Sequence, residues 1–175
     1  MAPDTSDQPA ATYDRPRFLP GRPWPLVLVA LGGLIVGVLL QLSPFVLAYL
    51  AATTDAVRQS TEALRPHAFA FATNAILIAL LPLLGFWLFA GSILSLGLRP
   101  WGRRLLVAWA LAWALYAVIY GLARVLLIKP RLAEGGLATG SVTAELAVVA
   151  FSLLLAACVH LGMTRPSVQA AMARR

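Results

Sequence analysis

The chain has 175 residues, of which 60% are hydrophobic and only 12% charged, and its mean hydropathy is +0.81. So little polar surface excludes an ordinary soluble domain and makes lipid the expected solvent. The net charge of +7 does not point to a nucleic-acid partner, because the basic residues sit at the ends of apolar runs and form no basic domain of their own; anionic lipid headgroups are the expected counter-charge.

Residues 1–24 place Asp4, Asp7, Asp14, Arg15, Arg17 and Arg22 among five prolines with no apolar periodicity. A disordered, Pro-rich tail is predicted there, with Trp24 as an anchor at the membrane interface. Four apolar runs follow, and each is long enough as helix to cross a hydrocarbon core of about 30 Å. The spans are predicted at about 26–52, 68–98, 105–128 and 144–163 of a transmembrane domain covering 25–164, and a basic tail, 165–175, closes the chain. The first run is longer than a secretory h-region and starts after some two dozen residues, so it reads as a retained span. The fold class expected is all-α, an integral-membrane four-helix bundle.

Pro44 in the first run and Pro82 in the second predict kinks, since proline removes one backbone bond and crowds the preceding turn. Thr53–Arg65 is expected to carry the first helix on beyond the membrane. Residues 99–104 read as a short connection, and 129–143, with three glycines, as a loop. The single cysteine, Cys158, excludes an intrachain disulfide.

Nine of the lysines and arginines lie on the side of the chain termini and of residues 99–104, against five on the other. By the positive-inside rule both termini are expected in the cytoplasm. Arginine outnumbers lysine thirteen to one in an alanine- and leucine-rich chain, which fits a GC-rich bacterial genome and hence the inner membrane.

Gly33 and Gly37 form a GxxxG in the first span, and Ala110, Ala114, Ala117 and Gly121 recur at helical spacing in the third. Small residues let helix backbones approach in lipid, so these positions predict contact faces, within the bundle first and toward a second copy or another membrane protein second. Trp109, Trp113, Tyr116 and Tyr120 follow the same steps on the neighbouring face, as bundle packing or the wall of an apolar pocket. Three residues beyond Gly121 comes Arg124, which points the charge toward the bundle. A charge in the membrane is costly and is usually paired. A polar cluster of Gln41, Asn74, Arg124 and Glu145 in the outer half is therefore the candidate site, for an anionic or polar ligand. Competing with it are a snorkelling Arg124, a first-turn Glu145 behind a Ser141 or Thr143 cap, and simple hydrogen-bond glue at Gln41 and Asn74.

Chemistry has weaker support. His67 and His160, the only histidines, are predicted at opposite faces and cannot share one haem iron, and no His, Cys, Asp or Glu set has metal-ligand spacing, so no cofactor is expected. Glu145, Ser152 and His160 lie on one arc of the fourth span but too far apart for direct proton relay. Ser92 and His160 are the one pairing that could serve a hydrolase, and no Gly-x-Ser-Gly or Gly-x-Ser-x-Gly motif surrounds Ser92. The leading expectation is a non-enzymatic accessory or assembly subunit acting through helix packing. A small-solute or ion transporter using the polar cluster comes second and an intramembrane hydrolase third.

Overall fold

The computed structural model describes residues 23–137 and 140–173. The predicted N-terminal tail up to Arg22, and Arg174 and Arg175 of the closing tail, lie outside the described residues. Every described element is a helix: α1 (Trp24–Thr53), α2 (Asp55–Leu64), α3 (Ala68–Leu96), α4 (Pro100–Ala123), a π-helical turn (Arg124–Ile128), α5 (Lys129–Glu134), α6 (Val142–Thr164) and α7 (Pro166–Ala173). Four stretches are long and apolar enough to cross a membrane, namely α1, α3, the continuous run Pro100–Glu134, and α6. With no water to satisfy their backbones, these runs close their hydrogen bonds internally as helix.

Several boundaries differ from the expected ones for local reasons. The first helix does not run on to Arg65. It breaks at Thr54, which is extended (φ −122°, ψ 115°), and α2 starts afresh with Asp55 in its first turn, where a carboxylate suits the helix dipole. Residues 100–104, expected to be a connection, are already helical, because Pro100 fits the first turn, where its missing N–H leaves no bond unmade. The second span ends at Leu96 rather than 98. There Leu98 takes a left-handed φ of 55°, and the Arg99 N–H closes back on the Leu94 carbonyl. Gly136 (φ 73°) closes α5 with the same geometry, the Leu137 N–H bonding to the Leu132 carbonyl.

The expected 129–143 loop is the largest departure. Pro130 would clash with the carbonyl four residues back in a regular α-helix. One wide π turn absorbs the misfit, with the Lys129 N–H reaching the Arg124 carbonyl, and the helix continues through Pro130 to Glu134. Pro44 is accommodated differently. It strips the Leu40 carbonyl of its helical donor, and the Ser43 hydroxyl donates to that carbonyl instead, at 2.7 Å.

Neighbouring spans pack where side chains are smallest. A methyl at Gly37 would lie 2.9 Å from the Gly85 carbonyl oxygen, and one at Gly85 would lie 2.8 Å from that of Gly37, so α1 and α3 touch backbone to backbone. Gly33 faces Ser92 and Leu88, Gly102 faces the backbone of Leu94 and Ser95, and Gly121 faces Val149 on α6. The main core lies toward the chain termini, where Leu26, Leu88, Leu106, Trp109, Val159 and Met163 pack together. Val168 and Met172 dock α7 onto the same core. At the other end, Leu64 of α2 joins Ala70, Ile128 and Leu132 in a second, smaller cluster.

Candidate functional site

At the end of the bundle away from the chain termini, three charged side chains from two spans meet. Arg124 opens the π turn and donates from Nε (3.2 Å) and Nη2 (3.0 Å) to the same oxygen, Oε1, of Glu145. Lys129 closes the turn and holds its Nζ 3.8 Å from that oxygen. Lys129 also donates to the backbone carbonyls of Gly140 and of Ser141, the latter at 2.9 Å, and so ties down the segment that leads into α6. Ser141 caps α6 by accepting the Ala144 N–H at 3.2 Å. The Glu145 side chain is 13% exposed, Arg124 27% and Lys129 8%. The wider π turn sets the two cations five positions apart and leaves both facing α6.

This group overlaps the predicted polar cluster only in part. Arg124 and Glu145 meet as an ion pair, while Gln41 and Asn74 make no side-chain hydrogen bond among the described residues. Register explains the separation. The Gln41 backbone lies against Gly85, next to Leu84, whose carbonyl accepts the Trp109 Nε1–H at 2.8 Å. Gln41 is therefore level with Trp109, fifteen residues and roughly 22 Å along the helix from Arg124. Asn74 lies nearer. Tyr116 donates its hydroxyl to the Leu77 carbonyl at 3.1 Å, which puts Asn74 about one and a half turns below the arginine. Lys129 was missing from the predicted cluster because Pro130 marks a helix end in sequence. Its one available signal was the spacing of five from Arg124.

The predicted small-residue positions all face into the bundle. Gly33 and Gly37 are buried against α3 and Gly121 against α6; Ala110 and Ala117 are buried, and Ala114 packs half-buried on the main core. The aromatic stripe forms a stacked ladder with ring centroids 5.4 Å apart from Trp109 to Trp113, 5.4 Å from Trp113 to Tyr116 and 6.0 Å from Tyr116 to Tyr120. Its termini-proximal rungs are core, since Trp109 and Trp113 are buried.

Ser92 and His160 share no hydrogen bond. The Ser92 hydroxyl donates to the Leu88 carbonyl at 2.7 Å and packs beside Gly33. No group of three His, Cys, Asp or Glu side chains gathers as a metal set among the described residues.

Two surface hollows among the described residues bear on function. One is an apolar groove of about 240 Å³ between α1 and α6, lined by Leu28, Gly32, Val36, Leu155 and Cys158 with Trp109 at its floor. A methyl on Gly32 would meet nothing within 4 Å. The other is a cavity of about 350 Å³ beside the start of α3, walled by both polar and apolar residues.

Comparison with protein-family models, with curated proteins and with solved structures gives no match. The four apolar helices define the class, an all-helical membrane protein, and the assignment of a role rests on the chain's own geometry.

Proposed function

We propose that this chain is a non-enzymatic accessory or assembly subunit of a bacterial inner membrane, with both termini in the cytoplasm, that receives a spanning helix of another membrane protein in the groove between α1 and α6. The observation that carries the reading is Gly32. A glycine inside a helix costs about 1 kcal/mol relative to alanine. Gly33 and Gly37 recover that cost through close packing on α3, whereas Gly32 is exposed beside open space in the groove. Acyl chains adapt to any apolar wall and draw no benefit from a missing methyl. A second helix does, because its backbone approaches closely only over small residues. The orientation rests on the excess of arginine on the side of the termini.

The test is a photo-crosslinker placed at Leu28, in the groove, and at Leu83, on the lipid-facing side of α3. A stoichiometric adduct to one other membrane protein is expected from Leu28 alone, lost on Gly32→Leu while the thermal midpoint does not fall. Adducts to lipid or to a second copy only, at both positions, would overturn the reading.

Transport is the second reading, and its charges are already engaged with one another at Arg124, Lys129 and Glu145. Solute flux in liposomes that disappears in a folded Glu145→Gln protein would put transport first. The hydrolase reading loses support from the hydrogen bond of Ser92 to its own helix.

A further inference from the structure

The cavity beside the start of α3 is built unlike the α1–α6 groove. His67, Arg131 and Glu134 line one part of it, and Phe69, Leu126 and Leu127 line another. Phe69 is 73% exposed and Leu126 is 65% exposed, on two spans and next to the apolar stretches that face lipid. The charged residues belong to the ends of those spans, His67 just before α3 and Arg131 with Glu134 in the last turns of α5. Charge stands above grease, in the order in which a phospholipid carries them.

The charged part presents both signs. Arg131 donates from Nη1 alone to the two oxygens of Glu134, at 2.7 and 2.9 Å. That leaves the other nitrogens of its five-donor fork without a protein acceptor among the described residues. Each Glu134 oxygen keeps a free lone pair, and His67 Nε2 stands 3.7 Å from one of them, beyond hydrogen-bond length. Both residues of the pair are about half exposed, so they can turn to a ligand without unburying a charge. A plain anion would be repelled by Glu134, and a plain cation by Arg131.

From these observations we infer that the cavity is a headgroup site for a phosphoethanolamine-bearing lipid in the leaflet opposite the chain termini. Its phosphate faces Arg131 and His67, its ammonium faces Glu134, and its chains run past Phe69 and Leu126. A primary ammonium offers three N–H donors to the carboxylate. A choline headgroup carries the same charges and has no N–H, and a glycerol headgroup lacks the cation.

The full chain, stripped of lipid and returned to nanodiscs of equal ethanolamine, choline and glycerol phospholipid, is released into a native mass spectrometer and its retained lipid identified. Ethanolamine lipid should exceed each of the others by about five-fold, the worth of one partly exposed charge-assisted hydrogen bond. Glu134→Gln should abolish the preference over choline, and Arg131→Gln should lower retention of all three. Phe69→Ser should weaken retention without changing the order. Soluble phosphoethanolamine, which lacks the chains, should compete poorly. Equal retention of the three lipids, a preference for glycerol lipid, or a preference unchanged in Glu134→Gln would overturn the site. Displacement by the soluble headgroup at lipid-like concentration would overturn its assignment to lipid. Both charged residues being half exposed, an unchanged thermal midpoint separates loss of the site from loss of the fold.

Discussion

The two ends of the bundle solve one problem with opposite chemistry. Toward the chain termini, α1, α3 and α4 come together over Gly33, Gly37, Gly85 and Gly102, around a core that includes Leu88, Leu106 and Trp109. Toward the far end these contacts thin out, and no residue of α1 beyond Gly37 is buried. α6 follows the same pattern, its buried residues Ala156, Val159 and Met163 all lying in the termini-proximal half. The far end is held instead by Glu145 between two cations, and by α2 packing Leu64 against Ile128 and Leu132. Apolar side chains gain little by leaving lipid for one another, so cohesion within the hydrocarbon comes from close contact. Near the headgroups, beyond the last such contact of α6, Val149 on Gly121, it comes from charge.

The contrast breaks most sharply at Glu145. Glu145→Leu leaves Arg124 and Lys129 facing each other without their shared carboxylate, and a loss of about 3 kcal/mol is expected, read as unfolding in detergent. Removing both partners should cost less than the single change, since Arg124→Leu with Glu145→Leu takes the strongest uncompensated charge out with its acceptor. If the double substitution lost the sum of the two single effects, the pair would be uncoupled and the far end held by α2 alone. Next in size is the termini-proximal contact. Gly37→Ala sets a methyl 2.9 Å from the Gly85 carbonyl oxygen and 3.0 Å from the Phe89 backbone nitrogen, so the helices must part. A cost of about 2 kcal/mol is expected in the same measurement, against a gain of up to about 1 kcal/mol for Gly32→Ala, whose methyl meets nothing.

Sequence disclosed the solvent and the number of spans because length and hydropathy are summed over some twenty residues, and no single side chain decides them. The facing of Arg124 was also legible, since helical spacing from Ala110 to Gly121 continues to it. Depth was not. Gln41 and Arg124 both read as outer-half residues along their own helices, yet the staggered contact of α1 on Gly85 leaves Gln41 level with Trp109. Such stagger is a property of two helices together and is written in neither alone. The π turn escaped for a related reason. Pro130 ordinarily ends a helix, and its tolerance here depends on the wide turn that Lys129 and Arg124 close around Glu145. The break at Thr54 was missed for another reason, for the Thr54 side chain makes no capping hydrogen bond to α2. The break was obscured by the strong helical propensity on either side.

The smallest expected effect separates embedded charge from charge in water at the same end of the molecule. On α2, Arg58 lies 3.2 Å from Asp55 and 3.9 Å from Glu62, an arrangement that on paper matches the grouping around Glu145 with the signs reversed. Its side chain is 65% exposed, as is that of Glu62. Two exposed partners gain little Coulomb energy in high dielectric and lose side-chain freedom in holding their geometry. Arg58→Ala should therefore shift stability by less than about 0.5 kcal/mol, and what shift there is should vanish in high salt. The loss in Glu145→Leu should persist in the same salt, because a pair screened from solvent by α4 and α6 is also screened from ions. Equal salt sensitivity at the two sites would mean that water reaches Arg124, Lys129 and Glu145 as freely as it reaches α2, and the far end would then be held by its apolar cluster.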